Sequence, residues 1–177
     1  MNDLRPIRIT PHYLKYPEGS CLMQMGNSKV VCTASVSSDV PDHAKAAGKG
    51  WLTAEYSMLP RAGTERTPRG RIASGGRTKE ISRMIGRSLR AVIDLAVIPD
   101  LGLVIDCDVL QADGGTRTAS INGGFIACVQ ALRLRRKTNR AMPWPLRDFV
   151  AAVSVGLVDG RCLLDLDYEN DSAVPVP

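Results

Sequence analysis

The feature that most constrains how this chain can fold is an alternating segment that leads directly into a helical one. In "LGLVIDCDVLQ", residues 101–111, apolar side chains alternate with Asp106 and Asp108, which is the period of a strand with one buried face. The next segment, residues 116–136, repeats its apolar side chains at helical spacing. A half-apolar strand followed by an amphipathic helix predicts a sheet that helices cover on one face.

The other periodic segments extend this pattern along the chain. Strands are predicted at residues 5–10, 20–26, 29–37 and 50–59, a helix at 77–94, and a hairpin over 147–171 with Asp159-Gly160 as its turn. Polar, glycine-rich loops are expected at 40–50 and 60–76. The order of strands, helix, strand, helix and strand pair predicts an α+β fold, a mixed sheet with helices packed on one face. We expect residues 1–177 to form a single domain.

The segment 77–94 has the clearest helical period in the sequence. One face is basic and the other is apolar, and the apolar side chains are Ile81, Met84, Ile85, Leu89 and Val92. Arg77 breaks this division, because a rotation of about 100° per residue places it near the apolar side. It also lies at the helix start, where the dipole disfavours a cation. We therefore expect Arg77 to point inward towards a buried anion; the alternative is that the helix begins later and Arg77 belongs to the loop.

Charge is unevenly distributed in a chain whose formal net charge is +5. Residues 61–90 contain eight Arg and one Lys against two Glu, whereas residues 159–171 contain four Asp and one Glu against one Arg. The basic middle indicates a polyanionic partner, with a solvated basic face as the alternative, and the acidic end could hold a divalent metal. Asp106 and Asp108 share a strand face that suits a metal pair, solvent-facing side chains or ion pairs with the helix arginines.

The cysteines and the apolar runs bear on where the protein works. The five cysteines are scattered, odd in number and without a C-x-x-C pair, which predicts reduced core cysteines and a cytoplasmic location. The sequence contains no run of 18 apolar residues and no apolar leader at its start. We therefore expect no membrane segment.

The junction between the strand and the helix reads "QADGGTRTASINGG". The pair Gly114-Gly115 allows the backbone to approach a ligand closely, and Thr116 is suited to cap the helix that follows. Free N–H groups at a helix start bind phosphate or sulfate, and the guanidinium of Arg117 matches two phosphate oxygens. With Arg77, these residues predict one anion held between two arginines and a helix N-terminus. An ordinary glycine turn is the alternative.

Several longer motifs resemble the ribonuclease PH family, in its order and at nearly its spacing. They are "GWLTAEYSMLPR", "GGRTKEISRMIGRSLRAV", "IDCDVLQADGGTRTASINGG" and "AAVSVGLVDG" followed by "LDLDYENDSA", and the resemblance extends from about Leu4 to Ala173. It implies the family's mixed-sheet fold and a phosphorolytic 3′→5′ exoribonuclease, a nucleotidyltransferase that trims the 3′ ends of transfer RNA precursors. Inorganic phosphate, not water, would attack the terminal phosphodiester and release a nucleoside 5′-diphosphate.

The same resemblance implies site residues, cofactors and partners. In the family the phosphate is bound by the arginine of "GGRT" and the Gly-Thr-Arg of "GGTRT", which here are Arg77, Gly115, Thr116 and Arg117. It also implies RNA binding by Arg61 of "MLPR" and a divalent metal, usually Mg²⁺. The expected assembly is a homo-hexamer, a trimer of dimers, acting on tRNA precursors and other structured RNA 3′ ends.

The carboxylate side of the expected site departs from the family pattern. The family has two aspartates six residues apart that serve the metal and the chemistry; Asp171 fills the first position and Pro177 the second. Family members also continue further, so we expect the chain to be C-terminally incomplete relative to them. Two outcomes stay open. One is an active enzyme in which Asp171 is catalytic and binds the metal. The other is a catalytically impaired RNA-binding or ring-building subunit.

Overall fold

The computed structural model describes residues 3–158 and 160–173 and places five strands in one mixed sheet. The strands are β1 (Ile7–Pro11), β2 (Gly19–Met25), β3 (Ser28–Ser37), β4 (Trp51–Met58) and β5 (Gly102–Gln111). Their order across the sheet is β1-β2-β3-β5-β4; β4 is parallel to β5, and the other neighbours are antiparallel. Gly26, at a φ of 57°, allows the tight turn between β2 and β3. The predicted mixed sheet is confirmed.

Helices cover one face of this sheet, as the alternation of β5 predicts. They are α1 (Asp42–Ala46), α2 (Arg69–Ser74), α3 (Gly76–Val92) and α4 (Thr116–Thr138). α4 packs against β2, β3 and β5, and α3 packs against β4 and α4. A Cβ built on Gly124 of α4 would lie near Ile105 of β5 and Ile85 of α3. The two long helices and the inner face of β5 therefore meet in a single hydrophobic core.

The expected loops at 40–50 and 60–76 contain short helices, so that expectation is wrong in part. α1 lies in the first segment and α2 in the second. Pro41 and Pro68 occupy their N-cap positions, at φ −58° and −59°, and proline's fixed φ suits a helix start. Helices of five and six residues are too short to display an apolar period in the sequence.

The expected hairpin at 147–171 is confirmed only in its centre. β6 (Val155–Val158) and β7 (Arg161–Leu164) pair antiparallel as a ribbon separate from the main sheet. Asp159 of the expected turn lies outside the described residues. The strand does not continue after β7, because Asp165 adopts a φ of 51° and the chain then enters α5 (Tyr168–Ala173). That left-handed residue interrupts the extended backbone.

Most of the cysteines are core residues, as expected. Cys21, Cys32, Cys107 and Cys128 are buried, whereas Cys162 is exposed. Burial raises the pKa of the Cys21 thiol to about 11 and that of Cys128 to about 12, so these two thiols stay protonated and unreactive at neutral pH. Within residues 3–158 and 160–173, no helix is long and apolar enough to cross a membrane.

The close approach of α4 to the sheet depends on glycines. A Cβ on Gly123 would lie 2.6 Å from the Sγ of Cys32 and 3.0 Å from the Cβ of Met23, on two neighbouring strands. On the other side of the contact, a Cβ on Gly19 of β2 would meet the backbone carbonyl of Ala127 in α4. The helix therefore lies closer to β2 and β3 than residues with side chains would allow.

We predict that Gly123→Ala lowers the free energy of unfolding by about 1–3 kcal/mol, the usual cost of overpacking a core. The matched control is Gly76→Ala in α3, because a Cβ at that position has no atom within 4 Å. The control should be neutral, or stabilising by up to about 1 kcal/mol, since alanine favours the helix. Urea denaturation measures both values, and equal effects of the two substitutions would contradict the close-packing account.

Candidate anion-binding site

The candidate site lies where the parallel strands β4 and β5 end side by side. Met58, the last residue of β4, is opposite Val109 of β5. The chain leaves β4 through Arg61 and leaves β5 through the Gly114-Gly115 pair, which leads into α4. The crevice beyond the carboxyl ends of strands is the usual ligand site of open sheets that contain parallel strands.

Both glycines of the pair adopt conformations that other residues rarely occupy. Gly114 has a φ of 72° and Gly115 a φ of 65°, and a Cβ on Gly114 would meet the backbone carbonyl of Leu166. Gly115 is the N-cap of α4, and among the described residues no side chain caps this helix start. The first N–H groups of α4 are therefore available to an anion, with the positive end of the helix dipole behind them.

Thr116 does not cap the helix as the sequence suggested. It is the first helical residue, it is buried, and its Oγ1 lies 3.0 Å from the phenolic oxygen of Tyr56 on β4. Gly115 is the N-cap residue instead, and its left-handed backbone is a conformation that glycine adopts without strain. The hydroxyl of Thr116 is thus held by a buried partner that the sequence did not single out for this role.

Tyr56 is influenced by the charges of both expected arginines. Burial raises the pKa of its phenol, while the hydrogen bond to Thr116 and the charges of Arg77 and Arg117 act in the opposite direction. The guanidinium groups of α3 and α4 therefore contribute to the electrostatic potential at one hydroxyl, beside the start of α4. The convergence of Arg77 and Arg117 on one anion at the start of α4 stays a prediction.

Arg77 itself is exposed, so the expectation that it points inward is wrong. The alternative that it belongs to a loop is also wrong, because α3 begins at Gly76. A helical wheel gives the direction of a side chain about the axis, but it does not show whether another element covers the side chain there. Arg77 therefore lies at the solvent-exposed start of α3.

Arg117 has a partner that sequence reasoning missed. Its Nη1 lies 3.3 Å from Oε1 of Glu80, which joins the start of α4 to the first turns of α3. The exposed fractions of the two side chains are 38% and 49%, so water screens the pair and its contribution to stability is small. The pair positions the guanidinium, and an incoming anion would have to compete with Glu80 for it.

A partly buried arginine, Arg5, links three separate segments beside the site. The backbone N–H of Arg5 donates to Oδ2 of Asp165 at 3.0 Å, and its Nη2 donates to Oδ1 at 2.7 Å. The same guanidinium donates to the carbonyl of Asp113, which immediately precedes the glycine pair. The carboxylate of Asp165 has no exposed surface. Arg5 therefore fixes the N-terminal segment, the loop before α4 and the segment after β7 to each other.

Asp171 lies in α5, close to this linked region. A Cβ on Gly114 would lie 2.7 Å from the carbonyl carbon of Asp167, so the start of α5 packs on the loop before α4. The backbone of Asp171 donates to the carbonyl of Asp167 at 2.9 Å, and the Asp171 side chain is exposed. Hydrogen bonding from the backbone of Asn170 lowers the pKa of Asp167, so that neighbouring carboxylate stays ionised.

The described residues around Asp171 do not form a complete set of metal ligands. In the part of the chain that the structure describes, no group of three or more His, Cys, Asp or Glu side chains could hold a metal ion. The second family position, Pro177, lies outside the described residues. Asp171 could therefore hold Mg²⁺ only together with ligands from elsewhere, such as substrate phosphates.

Arg61 is fixed at the same edge by the loop that carries it. The N–H of Leu59 donates to the carbonyl of Val109, and the N–H of Ala112 donates to the carbonyl of Ala62, each within 2.9 Å. These bonds hold the loop against the end of β5. Arg61 is exposed, and its guanidinium donates to the carbonyl of Thr64. Because Arg61 is exposed, its guanidinium can contact a ligand that extends beyond the Gly114-Gly115 pair.

Asp106 and Asp108 do not belong to the site. They lie on the face of β5 opposite α3 and α4, because the alternate residue Cys107 faces the core. This position rules out ion pairs with the arginines of those helices. Burial, together with the charges of Glu55 and Asp108, raises the pKa of Asp106. Of the three open interpretations, the solvent-facing one describes them best.

Comparison with known proteins gives a consistent result. The RNase PH family model, described as "3′ exoribonuclease family, domain 1", matches residues 3–133. A protein named ribonuclease PH from Moorella thermoacetica is 52% identical over 176 residues, which cover 97% of this chain and 70% of that protein.

Solved structures show the same fold. A crystal structure of rice (Oryza sativa) Rrp46 matches with a TM-score of 0.76 at 21% identity, covering 98% of this chain and 73% of that one. An Archaeoglobus fulgidus exosome with RNA bound to the active site matches with a TM-score of 0.76 at 22% identity, covering 97% and 70%. At these identities the likeness shows the fold alone.

We predict that Arg5→Ala lowers the free energy of unfolding by about 3–5 kcal/mol, because it leaves Asp165 charged and buried without its partner. Arg8→Ala is the control, since Arg8 is an exposed arginine on the same segment, and its effect should stay within about 0.5 kcal/mol. Adding Asp165→Asn to Arg5→Ala should recover part of the loss in urea denaturation. Strictly additive effects of the two substitutions would contradict the buried pair.

Proposed function

The chain belongs to the RNase PH family of 3′ exoribonucleases, and from that premise we propose that it is a phosphorolytic 3′→5′ exoribonuclease that trims tRNA precursors. One observation carries the proposal: the start of α4, which no side chain among the described residues caps, carries Arg117 as its second residue and lies beside the Tyr56–Thr116 hydrogen bond. That arrangement suits an inorganic phosphate ion, which is small, anionic and rich in hydrogen-bond acceptors.

In the proposed reaction the phosphate is the nucleophile. One of its oxygens attacks the terminal phosphorus of the RNA, the bond from that phosphorus to the preceding 3′ oxygen breaks, and this oxygen leaves with a proton. The products are a nucleoside 5′-diphosphate and an RNA shortened by one nucleotide. Both reactants are anions, so their approach needs neutralisation and orientation. The N–H groups at Gly115 and Thr116, with the guanidiniums of Arg77 and Arg117, supply these functions.

Glu80 has a definite place in this scheme. It pairs with Arg117 in the protein without ligand, at 3.3 Å, and holds the guanidinium near the start of α4. An incoming phosphate would displace this carboxylate from Arg117. Because the pair is solvent-exposed, the displacement costs little, and the phosphate gains an oriented cation.

The RNA, the metal and the assembly are parts of the same proposal. Arg61 is exposed at the edge of the site and would contact the RNA backbone near the reacting end. Mg²⁺ would use Asp171 and substrate phosphates as ligands and would neutralise charge on the RNA. The proposed assembly is a homo-hexamer, a trimer of dimers, in the cytoplasm.

A catalytically impaired, RNA-binding or ring-building subunit is the second candidate. One observation favours it: among the described residues, no group of three or more His, Cys, Asp or Glu side chains could hold a metal ion.

Product identity separates these functions. A 3′-labelled tRNA precursor is incubated with the protein and Mg²⁺, with and without inorganic phosphate, and the released nucleotides are resolved by chromatography. Phosphorolysis gives nucleoside diphosphates only when phosphate is present. Nucleoside monophosphates released without phosphate would show a hydrolytic nuclease, and binding without release would favour the second candidate.

We predict that Arg117→Ala raises the KM for phosphate about 10- to 100-fold, because a hydrogen bond to a charged group contributes about 1.5–3 kcal/mol. RNA affinity measured without phosphate should change less than about twofold, since a single exposed contact contributes little. Arg87→Ala removes the same charge from an exposed position on α3 and serves as the control. If RNA affinity collapsed while the phosphate KM stayed unchanged, the role of Arg117 would be wrong.

A further inference from the structure

A second basic region lies near the far end of α4 from the candidate site. It is a groove of about 1040 Å³, bounded on one side by the loop between β1 and β2 and on the other by the last turns of α4 and Trp144. Arg133, in the wall of the groove, lies 17 residues after Thr116, which corresponds to about 25 Å along the helix. The groove is therefore separate from the phosphate site but lies along the same helix.

The lining of the groove is strongly cationic. Five of the lining side chains are basic, namely Lys15, Arg133, Arg136, Lys137 and Arg140. The carboxylate in the lining is Glu18, and it accepts a hydrogen bond from the backbone of Val36 at 3.0 Å. Within residues 3–158 and 160–173, none of the five cations has an ion-pair partner. Their charge is therefore available to an anionic ligand.

Aromatic rings accompany these cations. The guanidinium of Arg136 lies 5.8 Å from the ring centroid of Trp144, and the ammonium of Lys15 lies 5.4 Å from that of Tyr16. Trp144 lines the groove, whereas Tyr16, which is 88% exposed, lies between the lining residues Lys15 and Pro17 at its edge. Cations beside exposed rings are the combination that binds a sugar–phosphate backbone and stacks its bases.

The shape of the groove is fixed before any ligand binds. The hydroxyl of Ser20 accepts a hydrogen bond from the N–H of Leu14 at 2.9 Å, and the N–H of Ser20 donates to Oε1 of Gln130 on α4 at 3.0 Å. The backbone N–H of His12 donates to the carbonyl of Ser20 at 2.7 Å, which joins the two ends of the loop. Because the loop is bonded to itself and to α4, a ligand would bind with little ordering cost.

We propose that this groove binds the body of the RNA whose 3′ end occupies the anion-binding site. The position of the 3′ end rests on the proposed function. A free phosphate ion is too small for the groove. The cations on α4 extend from Arg133 to Lys137, about 6 Å along the helix, and Arg140 follows just beyond the helix end, a spread that suits more than one phosphate of the same RNA chain. The groove would hold a structured RNA without regard to sequence, while the 3′ end lies about 25 Å away.

The test compares two double substitutions that remove equal charge. Lys15→Ala/Lys137→Ala removes two exposed lysines from the groove, and Lys45→Ala/Lys49→Ala removes two exposed lysines from the region of α1. Affinity is measured without phosphate by fluorescence anisotropy, for an RNA hairpin with a single-stranded 3′ tail and for a tetranucleotide. For the hairpin we expect the groove variant to bind about tenfold more weakly at ~0.1 M salt, with a log–log salt slope lower by about 1.8, the duplex value for two lost contacts.

The tetranucleotide and the control variant make the result specific to the groove. Neither substitution should change tetranucleotide affinity, and the control should bind the hairpin as the parent protein does. Equal hairpin affinities of the two variants, or equal affinities of the parent for hairpin and tetranucleotide, would overturn the groove proposal. A lower assembly mass of the groove variant in light scattering, with unchanged hairpin affinity, would also overturn it and assign the groove to contacts between copies of the chain.

These outcomes are independent of the proposed function. Binding is read without phosphate, so a failure of the parent protein to release nucleoside diphosphates would contradict phosphorolysis and leave the groove test intact. Conversely, both variants could release diphosphates normally from the tetranucleotide and bind the hairpin with equal affinity. That result would contradict the proposed role of the groove and leave the proposed phosphorolysis intact.

Discussion

The close approach of α4 to the sheet is the constraint on which the rest of the structure depends. Gly123 and Gly19 remove the side chains that would otherwise separate the helix from β2 and β3. That contact fixes the position of a 23-residue helix, and so it fixes both of its ends. The N-terminal end presents free N–H groups beside β4 and β5, and the C-terminal turns form one wall of the basic groove. A shift of α4 would move both surfaces together, because a helix transmits displacement along its length.

The site has two ion pairs that differ in their exposure to water. Arg5 and Asp165 form a buried pair that joins the loop before α4 to the segment carrying α5, and breaking such a pair is expensive because one charge stays buried. Arg117 and Glu80, in contrast, form an exposed pair that a ligand can replace at low cost. The buried ion pair thus lies under the loop before α4, and the exposed ion pair lies at the start of α4. This division suits the proposed reaction, in which an anion would bind and leave in every cycle.

Much of the fold could be predicted from local patterns, because those patterns report on local geometry. Alternation in residues 101–111 and the helical period in 77–94 identified β5 and α3, and "GGTRT" identified the start of α4. The short helices α1 and α2 were missed because one or two turns do not repeat an apolar position. The inward direction expected for Arg77 failed because a helical period describes rotation about the axis and says nothing about which neighbour covers the residue.

By itself, the sequence determined the strands and long helices, the glycine pair that begins α4 and the arginines beside it, since each depends on residues close together in the chain. Only the tertiary structure decided which distant residues meet. Tyr56 reaches Thr116 across 60 positions, and Arg5 reaches Asp165 across 160. Lys15 likewise faces the groove opposite the end of α4. These contacts depend on strand order and on the depth at which α4 packs, and no local period in one sequence encodes either property.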